Sequence, residues 1–399
     1  MTAPRLALAP ISPEEHLAFL EDRAAAGGEV SFLQTPAWAR VKSEWKAESL
    51  GWAAVSPEGG TRLVGAALVL YRQLPKVKRY LAYLPEGPVI DWESDDLGAW
   101  LAPLAAHLKK QGAFGIRMGP PVVVRRWDAA AVKAGIADDA VRRLGDLPPT
   151  ERSQTGARVV SQLRELGWRP QAVEGGFAAG QPQFNFVVPL TDADGTALTE
   201  ELVLKGMNQQ WRRNIKKADK AGVEVTAYDG DAVVSTSSTD RGDVLAAFHD
   251  LYVHTAQRDG FTPRPLTYFR TMAAALGSED ADRFRLYLAH HEGDLVAATI
   301  AIRVGQRVWY SYGASSTEKR DVRGSNAAQW QMIRDAIAAG ARVYDLRGIT
   351  DTLAEGDAQL GLIQFKVGTG GEAIEYAGEW DLPLNRALYA AFDLYMKRR

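Results

Sequence analysis

The feature that most limits what this chain can fold into is an internal repeat. Residues 63–69, LVGAALV, follow the turn SPEGGTR and read as a small-residue strand. Residues 295–301, LVAATIA, read the same way after the EGD of 292–294. An aromatic strand comes next in each case, RYLAYL at 79–84 and RVWYSYGA at 307–314. After a polar loop each half has an amphipathic helix, LGAWLAPLAAHLKKQ at 97–111 and NAAQWQMIRDAIAAG at 326–340. Each helix runs into a Gly-Ala pair, Gly112-Ala113 and Gly340-Ala341, where glycine can take the left-handed conformation that ends a helix. A further strand follows, FGIRM in one half and RVYDL in the other.

Hairpin, loop, helix and parallel strand make one supersecondary unit, and two copies in the same order predict a duplicated α/β fold. The order resembles the core of the acetyltransferase-like (GNAT) fold. There the loop between strand and helix wraps an anionic cofactor, because backbone N–H groups and the helix dipole favour phosphate. Between the repeats, Met207, Trp211, Ile215 and Ala218 predict a helix over 207–222. Leu245, Phe248 and Tyr252 predict another over 242–257. The aromatic tail 380–396 (Trp380, Tyr389, Phe392, Tyr395) predicts a docked terminus. Turn and proline signals place a boundary in GDLPPTERSQTG, 145–156. The expected division is 1–156 with about 379–399 as one domain and 157–378 as the other.

A length of 399 residues suits two domains. With 46% hydrophobic and 24% charged residues the composition is that of a globular protein. The formal net charge of −2 means that any RNA contact must come from local patches. The absence of cysteine removes disulfides, thiol nucleophiles and Cys-based zinc sites. MTAPRLALAPISPEEH is interrupted by prolines and acids and does not read as a signal peptide. No run of about 18 apolar residues is present, so a cytoplasmic protein is expected.

Four segments carry candidate chemistry. On the helix 207–222, Arg212, Lys216 and Lys220 are spaced i, i+4, i+8, flanked by Arg213 and Lys217, with Asp219 as the only acid in 205–220. Such a row repels itself, and an anionic partner would relieve it, although a solvated face looks the same in sequence. The stretch RQLPKVKR, with Arg72, Lys76, Lys78 and Arg79, is a basic hairpin without acids. The loop EKRDVRGSN, 318–326, puts Arg320, Arg323 and Gly324 where the acetyltransferase-like fold grips pyrophosphate. It does not match Q/R-x-x-G-x-G/A, since Asp321 and Asn326 occupy the outer positions, which weighs against acetyl-CoA. In GLIQFKVGTGGE, 361–372, a lysine stands between an apolar run and a Gly-rich turn, where it can hold a phosphate or an oxyanion. There is no G-x-S-x-G elbow and no phosphate-binding G-x-x-x-x-G-K-[ST] loop. His249 and His254 are five apart, a poor spacing for a zinc pair, and no metal is expected.

Six stretches in order resemble the FemABX family of tRNA-dependent peptidyl aminoacyl transferases. They are SFLQTPAWARVK (31–42), YLPEGPVID (83–91), WRRNIKKADKAGVEV (211–225), HTAQRDGFTPR (254–264), AAQWQMIRDAIAAGARVYDLRG (327–348) and GLIQFKVGTGGEAIEYAG (361–378). The resemblance implies tandem acetyltransferase-like domains with the tail returned to the first. The first domain would face the precursor and the second the aminoacyl-tRNA. Aminoacyl-tRNA is implied as donor and co-substrate, with no other cofactor. The implied acceptor is the side-chain amine on residue three of a peptidoglycan precursor stem peptide, either lipid II or UDP-MurNAc-pentapeptide. Lys42 corresponds to a family lysine at the precursor diphosphate, and Arg212 or Arg213 to a family arginine on the basic helix; Tyr252 joins this substrate-binding set. Phe365 and Lys366 match the family's Phe-Lys pair near the tRNA 3′ end and form the catalytic expectation. Lys216, Lys217, Arg320 and Arg323 complete the tRNA-binding expectation.

Two departures stand out. Gly119-Pro120 replaces a frequent Asp-Pro, and Thr369-Gly370-Gly371 replaces the family's F-G-G. Only about three residues separate Lys220 from the strand at 223–226, too few for the long coiled-coil arm of some members, so the compact single-residue-adding type is implied. The transferred residue implied is glycine, alanine or serine. A monomer is expected, with peripheral contact at the inner membrane face if the acceptor is lipid-linked. A tRNA-dependent peptide ligase of peptide-antibiotic synthesis, an acetyl-CoA-dependent N-acetyltransferase and a non-catalytic tRNA-binding module are the alternatives.

Overall fold

A computed structural model describes residues 5–55, 60–75, 77–171, 180–236, 242–357 and 359–397. Lys76 and most of the SPEGGTR turn lie outside the described residues. The chain divides into two compact units, Met1–Arg126 with Pro149–Phe184 and Ile374–Arg399, and Trp127–Pro148 with Asn185–Ala373. Compared with the expected division, 127–148 belongs with the second unit and 157–184 with the first. The reason is packing. Helix Gln154–Glu165 sends Val159 and Leu163 into the first unit's core beside Trp168. In the second unit the Leu144 N–H donates to the Asp351 carbonyl at 2.7 Å and the Leu353 N–H to the Arg142 carbonyl at 2.7 Å.

In the first unit, strands Arg5–Pro10, Lys46–Val55, Thr61–Leu74, Val77–Leu84, Ala113–Met118, Trp380–Pro383 and Arg169–Pro170 lie in that order in one sheet. All neighbours are antiparallel except Val77–Leu84 and Ala113–Met118, which are parallel and joined by helix Leu97–Lys110. Asp96 caps that helix by accepting from the Ala99 N–H at 3.1 Å, and Gly112 (φ 87°) turns the chain out of it. Ala67, Val69 and Tyr71 on one face of Thr61–Leu74 join a core with Trp52, Trp100, Leu104 and Trp380. Ala66, Leu68 and Leu70 are buried on the other face. A strand covered on both sides reads as a continuous apolar run, which is why LVGAALV lacks alternation. The tail contributes strand Trp380–Pro383 and helix Arg386–Lys397, whose Phe392 packs on Phe114 with ring centroids 5.4 Å apart.

The second unit repeats the plan. Strands Glu224–Asp229, Phe284–His291, Asp294–Val304, Arg307–Ser315, Val343–Ile349 and Phe184–Pro189 are neighbours in that order. The crossover helix is Gly324–Ala338, and Gly340 (φ 71°) ends it. The expected helix 207–222 is shorter and is preceded by a separate one. Met207 has extended backbone and closes helix Glu200–Gly206, while Asn208 caps Gln209–Lys220 by accepting from the Trp211 N–H at 2.8 Å. Gly222 (φ 78°) then turns the chain into strand Glu224–Asp229, leaving no room for a coiled-coil arm. Among the described residues no helix is long and apolar enough to cross a membrane.

Leu104 is fully buried among the first unit's tryptophans. Leu104→Ala should cost about 2–5 kcal/mol of unfolding free energy, read from the midpoint of a urea titration.

Candidate functional site

The two copies of the repeat differ where the parallel strands meet. In the first unit the parallel ladder runs from Tyr80–Ala113 to Leu84–Met118. In the second it covers only Arg307–Val343, Val308–Tyr344 and Trp309–Asp345. The strands continue to Ser315 and Ile349, so beyond Trp309 and Asp345 they part. A one-residue bulge opposite Ile300 and Ala301 falls at Ser311 and bends the first of them.

Side chains take over the backbone groups left by the missing ladder. Thr255 Oγ1, on helix Val244–Asp259, accepts from the Ser315 N–H at 3.0 Å, and Arg258 Nη1 donates to the Ser315 carbonyl at 2.8 Å. On the other strand Lys366 Nζ donates to the carbonyls of Gly348 at 2.6 Å and Arg347 at 3.3 Å. Asp345, fully buried, accepts from the Arg347 N–H at 2.7 Å and from Arg307 Nη1 at 3.1 Å. That fixes Arg347 in a left-handed conformation (φ 62°) and turns its carbonyl toward Lys366. Ser311 Oγ and Thr350 Oγ1 are buried near the parted strand ends without a partner among the described residues. An unpaired buried hydroxyl costs free energy until something polar reaches it.

Lys366 itself is 4% exposed. Burial pulls its ammonium down from 10.5 to about 7; the Asp345 charge opposes this and the Arg347 charge adds to it. The neighbouring Phe365 ring lies 4.8 Å from the Trp211 ring, and Trp211 Nε1 donates to the Phe365 carbonyl at 2.8 Å. The turn after them is built for close approach. A Cβ on Gly368 would strike Trp211, one on Gly370 the Gly206 carbonyl and one on Gly371 the Val187 carbonyl. The Asn208 N–H donates to the Gly368 carbonyl at 2.9 Å. The Gly-rich turn is therefore a seat for the start of the basic helix, although the two are more than 140 residues apart in the chain.

Three residues beyond Trp211 on that helix, Asn214 Nδ2 donates to Asn326 Oδ1 at 3.3 Å, joining it to the first turn of helix Gly324–Ala338. Gly324 is required there because a Cβ would come within 2.7 Å of Val296. Arg323 and Lys319 hold left-handed backbone (φ 64° and 51°), and the Arg320 and Arg323 side chains are exposed. One helix thus connects the Lys366 turn to the 318–326 loop, and its outer side presents Arg213, Lys216, Lys217 and Lys220. Arg212 is different. Its Nη1 donates to the carbonyls of Lys205 at 2.9 Å and Met207 at 2.8 Å, closing the preceding helix. Arg213 is the one turned to solvent.

Tyr252, expected at the acceptor, is 6% exposed in an aromatic cluster. Its ring lies 5.3 Å from Phe269 and 6.1 Å from Tyr312, which stands on the parted strand. Burial raises its hydroxyl, as does Tyr312. Lys42 is in the first unit, at the end of helix Pro36–Val41, with Nζ 5.5 Å from the Trp38 ring centroid. The first unit also holds a buried carboxylate that sequence reading missed. Glu379, 3% exposed, accepts from the Tyr83 hydroxyl at 2.6 Å and the Gln181 N–H at 3.2 Å, while its Oε2 is unpartnered among the described residues. Burial raises its carboxyl. A Cβ on Gly119 would stand 3.6 Å from the Glu379 side chain, so this carboxylate occupies space beside the position where a family aspartate was missed. Asp345 and Glu379 each left one trace in sequence, an acid inside an otherwise apolar strand or turn.

The model of the FemAB family matches residues 11–290 and 286–397. The chain belongs to the FemAB family. Among similar FemAB relatives, a UDP-N-acetylmuramoylpentapeptide-lysine N(6)-alanyltransferase of Weissella viridescens is 28% identical over 354 residues, covering 88% of this chain and 89% of its own. A lipid II:glycine glycyltransferase of Staphylococcus aureus is 23% identical over 448 residues, covering 95% and 93%. The crystal structure of FemX aligns with a TM-score of 0.75 at 21% identity, over 96% of this chain and 99% of that one, and has the same fold. The duplicated acetyltransferase-like fold is the FemAB fold in this chain.

Two predictions follow from the second unit. The folded chain gives up the Lys366 proton near 7 and the unfolded chain near 10.5, so across that window the unfolded state binds more protons and stability at this position rises with pH. Wild type should therefore gain stability relative to Lys366→Met across that window in urea titrations; a pH-independent difference would contradict the burial argument. Arg212→Ala should lose about 1–2 kcal/mol through its two carbonyl bonds. Arg213→Ala should stay within about 0.5 kcal/mol of wild type yet elute earlier from heparin.

Proposed function

We propose that this chain transfers an amino acid (glycine, alanine or serine) from aminoacyl-tRNA to the side-chain amine of residue three in a peptidoglycan precursor stem peptide, building the interpeptide bridge. One observation carries the reading: a buried lysine at the end of helix Leu360–Val367 donates to two carbonyls of a parted strand, beside the turn that seats a basic helix. The relatives' names supply the chemistry, alanyl transfer to a lysine of UDP-N-acetylmuramoylpentapeptide and glycyl transfer at lipid II. The acceptor amine attacks the ester carbonyl, a C–N bond forms, the C–O bond to the tRNA ribose breaks, and the amine proton ends on the released ribose hydroxyl.

The ester is already activated, so the protein has chiefly to align the amine and stabilise the oxyanion. Alignment can account for roughly 7–11 kcal/mol. An ammonium has three N–H groups, and Lys366 directs two of them to Gly348 and Arg347. The third is available to the donor carbonyl or the tRNA end. A bound polyanion restores the charge that burial weakens, since an opposite charge favours the ionised form. The exposed Arg213, Lys216, Lys217, Arg320 and Arg323 suit the tRNA backbone, and Lys42 suits the precursor diphosphate. No cofactor beyond aminoacyl-tRNA enters this reaction, and a monomer suffices for it.

The test is incubation with charged tRNA and a UDP-linked or lipid-linked precursor, with products weighed by mass spectrometry. A gain of one amino acid residue on the precursor is expected; an acetyl increment with acetyl-CoA, or no product, would reject the reading. Lys366→Met should lower kcat by the equivalent of about 3–4 kcal/mol. Lys42→Ala should raise KM for the precursor more than KM for tRNA. Activity should fall steeply with salt.

A further inference from the structure

One end of the first unit's sheet gathers cations that the transfer reaction does not use. Strands Thr61–Leu74 and Val77–Leu84 form a hairpin whose exposed side chains include Arg72, Lys78 and Arg79. The C-terminus of helix Leu97–Lys110 is brought to the same end, because the Tyr80 N–H donates to the Gly112 carbonyl at 3.3 Å. That adds exposed Lys109 and Lys110. The fold thus joins two lysines from a distant segment to the three described cations of the stretch RQLPKVKR. Among the described residues none of these five makes an ion pair. Glu48, in a strand of the same sheet, is occupied by the Tyr71 hydroxyl and by His107 Nε2 at 3.0 Å.

The patch has an apolar tip. Val77 is 47% exposed at the hairpin turn, beside exposed Pro75. Helix Arg386–Lys397 lies against the same end, with Leu388, Tyr389 and Met396 sharing a cluster with the hairpin's Leu74 and Leu81. Its outer side leaves Leu394 52% exposed. An RNA backbone gains from the cations and nothing from the aliphatic groups. An anionic lipid surface uses both, because headgroups attract Lys and Arg while the interface accepts shallow apolar side chains.

We propose that this hairpin end is a peripheral docking surface for anionic lipid, with Arg72, Lys78, Arg79, Lys109 and Lys110 meeting headgroups and Val77 entering the interface. It extends the reading above to a membrane-borne acceptor, but vesicle binding is measured without any transfer reaction, so the two fail separately. Cations near such a surface each raise partitioning roughly fivefold, and salt screens the effect.

The experiment is co-sedimentation of the full chain with vesicles of phosphatidylcholine alone and with about one-third phosphatidylglycerol. Stronger binding to the anionic vesicles, falling as salt is added, is expected. The triple variant R72E/K78E/R79E should lose that binding about a hundredfold or more (three cations at roughly fivefold each) while transfer to a soluble precursor is kept. Val77→Asp should lower binding with no change in retention on tRNA. Equal binding of wild type to both vesicle types, or anionic-vesicle binding unchanged in the triple variant, would overturn the proposal. Loss of tRNA retention in the triple variant without vesicle binding by wild type would overturn it in favour of RNA.

Discussion

The second unit depends on where its parallel ladder stops. Pairing between Arg307–Ser315 and Val343–Ile349 ends at Trp309 and Asp345, and the peptide groups beyond must find other partners. Thr255 and Arg258 take Ser315; Lys366 takes Gly348 and Arg347. Side chains from helices Val244–Asp259 and Leu360–Val367 thus satisfy the two parted strands. In the first unit the parallel ladder runs through Leu84 and Met118, and its strands do not part in this way. A duplicated fold has in this way acquired two different halves without a change of topology.

Holding Lys366 there carries a cost, since a buried ammonium surrenders hydration that two carbonyls only partly replace. The depressed proton affinity is the visible result. The same site requires glycine in the turn, at Gly368, Gly370 and Gly371, where a Cβ would strike Trp211, the Gly206 carbonyl and the Val187 carbonyl. Close backbone approach brings Trp211 over Phe365, and the helix carrying Trp211 is the one that carries the cations. Packing and electrostatics are therefore set by one short segment: its inner residues pack against the turn beside the lysine and its outer residues present cations to solvent.

Charge distribution follows a similar division. A net charge of −2 coexists with two concentrated basic surfaces, the helix Gln209–Lys220 in the second unit and the hairpin end in the first. Local density rather than net charge determines what each surface attracts, because screening limits a charge's reach to about 10 Å.

The sequence by itself determined the duplicated α/β plan, since strand and helix periodicities and the terminating glycines are local properties of the chain. It also marked Lys366, the basic helix and the 318–326 loop as separate candidates. Only the tertiary structure decided that Trp211 and Asn214 join those three into one site, and that Arg212 is spent on the Lys205 and Met207 carbonyls while Arg213 is exposed. The helix at 207 began late because an asparagine cap, a single-residue feature, outweighed continuous apolar spacing. The division near 145–156 moved because turn residues mark a change of direction, whereas Val159 and Leu163 follow the core that buries them. Ladder length, orphaned hydroxyls and the meeting of Lys109 with the hairpin depend on contacts between residues far apart in the chain, and no local pattern encodes them.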